Sequence, residues 1–415
     1  MIDTAGNQTR PKLRRSHRGS GGPRSVDCQS EDSATRRPGP IGAYAPRGVT
    51  SAVFGLVLIL AGCGSLPPHP DLPQTDRART LDIVVDPETG LASTEISVLI
   101  YNVVGLPWPL ANGKRSRQRD ARGERIPIDG DRPKALRAIG DALGEMRSSG
   151  VAPHVIVLQE AFIGPAAEIP ERGGYPNWVT GPGSNDLGEE YSDRATPEFI
   201  AERSFWKGEK LGKWQSSGLL VASDFPILRK HIYPFNQWEC AGFDCFANKG
   251  ALVVILELPG VPEPLAIATT HFNSQGASGV TRERALIAHN LQVDGVSEFL
   301  YSVDEPELPF IWGGDLNMRH ADDRISYFVE RSGGDLNEVS SFCIANPDWC
   351  EFEFPLDTDT PWYETQDLQG WASGPMVDVI PVRVKGLFDA PVDGVMPSDH
   401  DGLLVTYRLT WELSR

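Results

Sequence analysis

The stretch LPFIWGGDLNM, residues 308–318, joins a short apolar run to two glycines and then to Asp315 and Asn317. The apolar run, rich in aromatic and β-branched residues, predicts a buried strand. Its polar end has two interpretations. Asp, Asn and Gly favour turns, so these residues can form a simple polar turn. A carboxylate and an amide two residues apart can also hold a phosphate group and a hard metal ion.

Similar β-rich runs bounded by turn residues predict a series of strands along the chain. They cover residues 95–103, 154–161, 218–223, 250–258, 265–272, 309–315, 376–382 and 402–409. Apolar residues at helical spacing predict helices within residues 131–150 and 282–302. Several strands are apolar almost throughout, which requires cover on both faces of a sheet. The alternation of strands and helices predicts one α/β domain over residues 92–415.

The charge of the chain is unevenly distributed. The formal net charge is -17, yet residues 1–62 hold nine Lys or Arg against four acids, so the remainder carries 30 basic and 52 acidic residues. A body this acidic repels polyanions. We therefore do not expect broad binding to nucleic acid.

The amino-terminal part indicates export. Residues 1–50 are rich in Arg, Ser, Gly and Pro without apolar periodicity, which predicts a disordered leader, and its length before a signal segment indicates that the true start lies downstream. The apolar run at 51–62 is too short to span a bilayer as a helix and has the length typical of a signal peptide. It ends in LAGC, which resembles the bacterial lipobox and implies lipidation at Cys63; a buried strand followed by a chance cysteine is the alternative. Residues 63–91 begin with a Pro-rich run that predicts a tether.

Four cysteines follow the lipobox, and their spacing fits an exported protein. We expect disulfides between Cys240 and Cys245 and between Cys343 and Cys350, because each pair is close in sequence and an oxidising compartment permits the bonds. Zinc binding is the alternative. It is the weaker interpretation, since neither spacing is C-x2-C and no histidine lies near either pair.

Polar residues end five of the predicted strands, although the apolar bodies of these strands do not require them. They are Asn102, Gln159 with Glu160, His271 with Asn273, Asp315 with Asn317, and the SDH run at 398–400 that precedes the last strand. Each one alone has a structural interpretation as a turn cap or a solvated edge. In this order and at these positions, they predict side chains that converge on one rim of a packed sheet.

The chemistry of these side chains is coherent. Carboxylate and amide oxygens are hard ligands suited to Mg²⁺ or Mn²⁺, which share their coordination shell with phosphate oxygens. A neutral histidine can take a proton from water near pH 7. The set therefore suits in-line attack of water on a phosphate ester.

Five motifs carry a resemblance to the endonuclease/exonuclease/phosphatase superfamily, which covers about residues 95–410. The motifs are YNVVGLP (101–107), VLQEAF (157–162), THFN (270–273), GGDLN (313–317) and PSDHDG (397–402). The resemblance implies a four-layer α/β/β/α sandwich of two mixed β-sheets flanked by helices. Together with YNVVGLP, the segments SSGLLVASDFPI (216–227) and CAGFDCFANKGALV (240–253) are similar to the neutral and bacterial sphingomyelinase branch.

The resemblance implies a role for each matching residue around one metal ion. Glu160 would bind Mg²⁺ or Mn²⁺ directly, and Asn102 would lie close by as a ligand or phosphate contact. Asp399 would approach the metal from the side of His400.

It also implies a set of catalytic residues. His400 would be the general base, held in the right tautomer by Asp378. Asp315 would orient water or stabilise the transition state, and Asn317 would fix the phosphate beside it. His271 would donate to the developing negative charge.

Two residues are implied on the substrate side. Asn273 stands where the branch usually has Gln, with Gln275 following. Lys249 would supply positive charge to the substrate, or would form an ion pair with Asp244, five residues earlier.

These inferences predict an exported, lipid-anchored, metal-dependent phosphodiesterase, monomeric and similar to a sphingomyelinase or phospholipase C. It would lie in the bacterial cell envelope, and a secreted protein is the alternative. An acidic rim tolerates the cation of a phosphocholine headgroup, and Cys63 would attach the enzyme to a membrane. The rival enzyme is an exported nuclease or phosphatase of the same superfamily, favoured by the basic stretch at 113–125. The rival of another class is a lipoprotein that keeps the scaffold and only binds.

Overall fold

The computed structural model describes residues 79–107, 110–188, 193–303, 307–333, 337–354 and 358–413. The predicted leader, the signal segment with Cys63 and the first part of the tether lie outside the described residues. No helix in the described ranges is both long enough and apolar enough to cross a membrane.

Fifteen strands and seven α-helices lie within these described residues. The strands are β1 (Val84–Val85), β2 (Leu91–Asn102), β3 (Arg115–Arg119), β4 (Arg125–Pro127), β5 (Val155–Gln159), β6 (Asn177–Thr180), β7 (Leu220–Ser223), β8 (Ile227–Pro234), β9 (Gly250–Leu256), β10 (Leu265–His271), β11 (Phe310–Asp315), β12 (Glu351–Glu353), β13 (Asp367–Ala372), β14 (Val377–Leu387) and β15 (Gly402–Glu412). The helices are α1 (Arg132–Ser148), α2 (Glu168–Arg172), α3 (Pro197–Ala201), α4 (Arg282–Ser302), α5 (Asp322–Arg331), α6 (Val339–Ala345) and α7 (Pro361–Glu364).

Two large mixed sheets organise the strands. The first has the order β12-β14-β15-β2-β5-β7-β6, with β1 beside β2, and the second has the order β13-β11-β10-β9-β8. The pairs β2/β5, β12/β14 and β10/β11 are parallel, and the other pairs in these two sheets are antiparallel. A separate two-stranded hairpin is formed by β3 and β4.

The main hydrophobic core lies between the inner faces of the two sheets. Val98 and Ile100 of β2 belong to the same buried cluster as Val254 of β9, Ile267 of β10 and Ile311 of β11. Because side chains alternate across a strand, the residues between them on β2 point to the outer face. This pairing explains why the strands are apolar on both faces.

Helices cover the outer faces. Leu136 and Ile139 of α1 cluster with Leu99 on the outer face of the first sheet. Phe299 of α4 packs against Ala266 on the outer face of the second sheet. The chain is therefore a four-layer α/β/β/α sandwich, and the predicted fold class is confirmed.

The first glycine of the opening stretch has a packing role. A Cβ atom on Gly313 would lie 2.0 Å from Cδ1 of Ile100 and 2.5 Å from the carbonyl oxygen of Leu368. Only glycine therefore allows β2 and β13 to approach β11 this closely. This contact brings the end of β11 next to the end of β2.

The folded domain begins before the predicted boundary at residue 92. Val84–Val85 pairs with β2, and the hydroxyl of Thr94 donates to the carbonyl oxygen of Asp82. Arg79 forms an ion pair with Asp224. The last part of the predicted tether, residues 79–91, is therefore part of the domain, because it adds an edge strand and polar contacts to the first sheet.

Both predicted disulfides are confirmed. Cys240 is bonded to Cys245, with 5.3 Å between their Cα atoms, and Cys343 is bonded to Cys350, with 4.9 Å between theirs. The zinc alternative is wrong, because all four sulfur atoms are used in these bonds.

Candidate active site

The carboxylate of Asp315 is the centre of a polar cluster at one rim of the sandwich. Its Oδ2 atom accepts a hydrogen bond from Nδ2 of Asn102 at 3.0 Å. The same oxygen lies 3.4 Å from Nε2 of His271 and 3.8 Å from Nε2 of His400. Side chains separated by up to 298 residues in sequence thus meet at one atom, as the strand-end pattern predicts.

Strand register produces this convergence. His271 and Asp315 are paired residues at the ends of the parallel strands β10 and β11. Asn102 ends β2, opposite Gln159 at the end of the parallel strand β5. Parallel strands present their carboxyl ends at the same edge, so each pair delivers two polar residues to one rim.

The turn after β11 reconciles both interpretations of the opening stretch. Oδ1 of Asp315 accepts a hydrogen bond from the backbone N–H of Asn317 at 3.0 Å, which is a local turn contact. Nδ2 of Asn317 donates to the carbonyl oxygen of Phe272 at 3.0 Å, which ties this turn to the end of β10. The residues therefore form a polar turn, and the turn holds Asp315 in the cluster.

Backbone strain is concentrated at the same rim. Val104, Glu160 and Asn317 follow β2, β5 and β11, and they have φ values of 46°, 53° and 52°. A left-handed conformation is unfavourable for a β-branched residue such as valine, so the surrounding contacts must enforce it. Strain of this kind is typical of functional sites.

The partner of His400 is Asp367, the first residue of β13. Nδ1 of His400 donates to Oδ2 of Asp367 at 2.7 Å, and both side chains are buried. This bond leaves Nε2 as the atom of the imidazole that faces Asp315. The arrangement fixes both the tautomer and the orientation of the ring when the imidazole is neutral.

The predicted pairing of His400 with Asp378 is wrong. Asp378 is exposed and pairs with Thr410, whereas the opposite end of β14 pairs with Gly402 beside His400. The length of β14 therefore separates Asp378 from the cluster.

Electrostatics of the cluster follow from burial and proximity. Burial lowers the pKa of His400, but the negative charges of Asp367 and Asp315 outweigh this effect and raise it to about 9. Burial raises the pKa of Asp315 to about 6, although the charge of His400 opposes this change. Burial and then the charge of Lys249 hold the pKa of His271 well below its ordinary value, so His271 is neutral.

Lys249 is buried beside His271, and it also forms the ion pair proposed as its alternative role. Its Nζ atom lies 3.2 Å from Nε2 of His271 and 3.3 Å from Oδ2 of Asp244, and it donates to the carbonyl oxygen of Phe272 at 3.0 Å. Nε2 of His271 can accept from Lys249 or donate to Asp315, but it cannot do both with one tautomer.

Asn273 does not have the geometry of the predicted substrate contact. It is fully buried, its Oδ1 accepts from the backbone of Ala241 at 2.9 Å, and its Nδ2 donates to the carbonyl oxygen of Ser274 at 3.1 Å. These bonds fasten the disulfide-containing loop to the end of β10. The side chain is therefore structural, because both ends of its amide are engaged within the protein.

The donor atoms of the predicted metal ligands Glu160 and Asp399 fit a hard cation. Oε2 of Glu160 and Oδ1 of Asp399 are buried and accept no hydrogen bond from the described residues. Buried carboxylate oxygens without a donor are costly, and Mg²⁺ or Mn²⁺ would satisfy them. Asn102 is less available as a ligand, since its Oδ1 accepts from the backbone of Val104 and its Nδ2 donates to Asp315.

A second group has metal-binding character. Donor atoms of Asp315, Asp367 and His400 lie within 4.8 Å of one another. The 2.7 Å bond between His400 and Asp367 uses Nδ1 as a donor, which is incompatible with metal ligation through that atom. That bond suits proton transfer, whereas Glu160 and Asp399 carry buried oxygens without a donor among the described residues.

Several solved structures are similar to this chain at low sequence identity. Beta toxin from Staphylococcus aureus is 18% identical, with 75% of this chain and 99% of that chain covered and a TM-score of 0.48. Sphingomyelinase C from Streptomyces griseocarneus is also 18% identical, with 75% and 99% covered and a TM-score of 0.45. TDP2 from D. rerio, complexed with single-strand DNA product, is 16% identical, with 75% and 98% covered and a TM-score of 0.45.

Two comparisons of the sequence differ in outcome, and the comparison with family profiles identifies the family. No curated protein matches the chain at a significant level. The profile of the Endonuclease/Exonuclease/phosphatase family matches residues 127–400, a segment that contains the strand ends of the cluster from Glu160 to His400. The chain belongs to the endonuclease/exonuclease/phosphatase family.

Proposed function

We propose that this protein is an exported, lipid-anchored phosphodiesterase that uses Mg²⁺ or Mn²⁺ and releases a phosphorylated headgroup from a phospholipid, as a sphingomyelinase or phospholipase C does. The observation that carries the proposal is the placement of His400 between Asp367 and Asp315 at the rim of the sandwich. In this arrangement His400 is the proton acceptor, Asp367 orients its ring, and the carboxylate of Asp315 faces the ring.

His400 is the general base in this proposal. Asp367 holds its Nδ1 proton, so Nε2 of the neutral ring accepts a proton from the attacking water. The resulting imidazolium is stabilised by the charges of Asp367 and Asp315, the same charges that raise its pKa in the free protein. The base must be neutral to act, so activity rises with pH through the pKa of His400.

The other residues of the cluster position the phosphate and the water. Asp315 is held by Asn102 and by the turn at Asn317, so its carboxylate is fixed where it can orient the attacking water. Lys249 adds positive charge beside His271, 3.2 Å from its Nε2 atom. Preorganised charge of this kind supplies much of the rate in phosphate ester hydrolysis.

Glu160 and Asp399 would hold the divalent ion. Bound there, it would neutralise phosphate oxygens and oppose protonation of the neighbouring His400. The chain supplies the rest of the site: Ser398 donates its hydroxyl proton to the carbonyl oxygen of Asn102 at 2.7 Å and accepts from the N–H of His400 at 3.2 Å. These bonds fasten the segment that carries Asp399 and His400 to the end of β2.

Charge, disulfides and the amino-terminal sequence support the choice of a lipid substrate outside the cytoplasm. The acidic body tolerates the cation of a phosphocholine headgroup better than it tolerates repeated phosphates. The two disulfides are compatible with an oxidising compartment. Cys63 would attach the protein to the membrane in which the substrate lies.

One observation favours a nuclease as the second candidate. The basic stretch predicted to support this rival forms the β3–β4 hairpin, and the hairpin reaches the rim of the site. Lys114 lies 3.0 Å from Oδ2 of Asp399, and Arg117 lies 3.8 Å from Oδ2 of Asp367. A cationic hairpin at the rim can contact the phosphates of a nucleic acid.

The test offers the full-length protein three substrates: sphingomyelin and phosphatidylcholine in detergent micelles, and duplex DNA. Each is assayed with Mg²⁺ and with EDTA, beside the Asp315→Asn variant. We expect headgroup release that requires Mg²⁺ and falls by about 10²-fold or more in the variant, because the fixed carboxylate is lost. Metal-dependent DNA cleavage without lipid turnover would favour the nuclease instead. Binding without turnover of all three would favour the non-catalytic lipoprotein.

Lipid anchoring has its own test. When cells that express the full chain are labelled with a radioactive fatty acid, we expect the label in the membrane-bound protein and its loss in Cys63→Ser. The matched control is Cys28→Ser, which changes the other cysteine of the amino-terminal segment and should leave labelling unchanged. Equal labelling of the Cys63→Ser variant would exclude Cys63 as the anchor.

A further inference from the structure

Lys114 lies among the carboxylates assigned to the metal. Its Nζ atom donates to Oδ2 of Asp399 at 3.0 Å, and its side chain is 29% exposed. Burial lowers the pKa of Lys114, but the charges of Glu160 and Asp399 outweigh this effect and raise it above its ordinary value, with Asp315 adding to the same effect. The ammonium group forms an ion pair with Asp399, and the charges of Glu160 and Asp315 also act on it.

The backbone fixes Lys114 in this position. Its N–H donates to the carbonyl oxygen of Ala111 at 3.2 Å, and its carbonyl oxygen accepts from the N–H of Ile128 at 3.3 Å. Beyond it in the hairpin, Nη1 of Arg117 donates to Oγ1 of Thr365 at 3.1 Å, and Gln118 donates to Oδ2 of Asp401 at 3.2 Å. The start of the hairpin is thus held on both sides.

The two neighbouring cationic side chains, Arg132 and Lys249, are hydrogen-bonded to groups other than the proposed metal ligands. The guanidinium group of Arg132 donates to the carbonyl oxygens of Val103, Val104 and Pro397. Lys249 is engaged with Asp244, His271 and the carbonyl of Phe272. Among the lysines and arginines of the described residues, Lys114 is therefore the one that donates a hydrogen bond to a proposed metal ligand, Asp399.

We propose that Lys114 is the built-in counter-cation of the carboxylates of Glu160 and Asp399, and that a divalent ion binds to these carboxylates in competition with it. This inference rests on the metal dependence in the proposed function. Both cations are attracted by the same negative charges and repel each other at short range in a partly buried site. The flexible four-carbon stem of lysine allows its ammonium group to move away when the divalent ion binds.

Competition has a measurable consequence. A protein without the Lys114 charge has carboxylates that lack a counter-ion, so it should bind a divalent ion more tightly. The variant Lys114→Met removes the charge and retains an unbranched apolar stem. The matched control is Lys134→Met, because Lys134 forms an ion pair with Asp129 at 3.6 Å and its side chain is 69% exposed.

The first experiment is titration of the full-length protein with Mn²⁺, in which free Mn²⁺ is measured by electron paramagnetic resonance. We expect Lys114→Met to bind Mn²⁺ at least about tenfold more tightly than the wild type, and Lys134→Met to match the wild type. A second variant, Lys114→Gln, removes the charge but can still donate to Asp399, and it should also bind more tightly. Unchanged or weaker affinity in both Lys114 variants would overturn the inference.

The second experiment measures thermal unfolding and does not depend on activity. In EDTA, Lys114→Met should unfold at a lower temperature than the wild type, because the carboxylates have lost their counter-cation. Adding Mg²⁺ should raise its unfolding temperature by more than it raises that of the wild type, since tighter binding stabilises more at the same Mg²⁺ concentration. An equal increase in both proteins would contradict competition. Failure of the wild type to bind Mn²⁺ or to respond to Mg²⁺ would overturn both the metal dependence and this inference.

Discussion

We expect His400→Ala to reduce kcat/KM for phosphodiester hydrolysis by about 10³-fold or more, because general-base catalysis contributes about 10²- to 10⁴-fold. Nε2 of His400 is directed toward Asp315, and the other ring nitrogen is fixed by Asp367. The rate can be measured with a chromogenic diester such as bis(p-nitrophenyl) phosphate and with the lipid that the substrate comparison identifies.

The control for this change is His154→Asn. His154 precedes β5 and contacts Ser97, so it lies at the other end of the first sheet from Glu160. Its Nδ1 accepts from the backbone N–H of Ser97 at 3.1 Å, and an asparagine oxygen can replace that acceptor. We expect kcat/KM of the His154→Asn variant to match that of the wild type. A folded His400→Ala protein with more than about a tenth of wild-type activity would exclude His400 as the base.

The second large effect is expected for Asp367→Asn, which leaves the shape of the side chain and removes its charge. Asp367 is a positioning residue, because it acts on the reacting water only through His400. We expect kcat/KM to fall by about 10²-fold, since the neutral amide neither selects the tautomer nor stabilises the imidazolium. The matched control is Asp378→Asn, which changes an exposed aspartate on β14, the next strand in sequence, and should have no effect.

The pH dependence separates this role from simple destabilisation. The pKa of His400 is raised to about 9 because the charges of Asp367 and Asp315 outweigh burial. The neutral ring is the active form, so wild-type activity rises as the pH rises through the pKa of His400, which a bound divalent ion would lower. Removing the Asp367 charge lowers the pKa of His400, and the rise in kcat/KM should move to lower pH while its maximum falls. An unshifted profile would show that Asp367 does not act through His400.

Runs rich in β-branched residues predict eight of the fifteen strands of the described residues, and the resemblance to the superfamily implies the four layers. The β13 strand is an exception. Its sequence DLQGWA contains no β-branched residue and includes a glycine, so its propensity for strand is low. Its conformation comes from antiparallel pairing with β11, where Asp367 lies opposite Asp315.

Because β13 is not predicted from the sequence, the partner of His400 is predicted wrongly. In DLQGWA the polar side chains of Asp367 and Gln369 are fully buried, and Gln369 donates to the carbonyl oxygens of Val98 and Leu403. A polar and apolar alternation normally directs the polar residues to solvent. The resemblance instead implies Asp378 of the run MVDVI, which has the stronger strand pattern.

The roles of Asn273 and Lys114 show a second limit of sequence analysis. Asn273 carries the chemistry of a phosphate contact, but a backbone N–H from the disulfide loop engages its oxygen. Lys114 appears in sequence as one charge in a basic stretch, and only the path of the hairpin brings it to Asp399. The partners, Ala241 for Asn273 and Asp399 for Lys114, lie in distant segments, and no periodic pattern in the sequence indicates these contacts.

The most direct test of the central claim is a double-mutant cycle that measures kcat/KM for the wild type, His400→Ala, Asp367→Asn and the double variant. If His400 is the base and Asp367 acts only through it, the double variant should be no slower than His400→Ala alone, because the second change removes support for a ring that is already absent. If the two losses multiply instead, the residues act independently and the proposed proton-transfer pair is wrong.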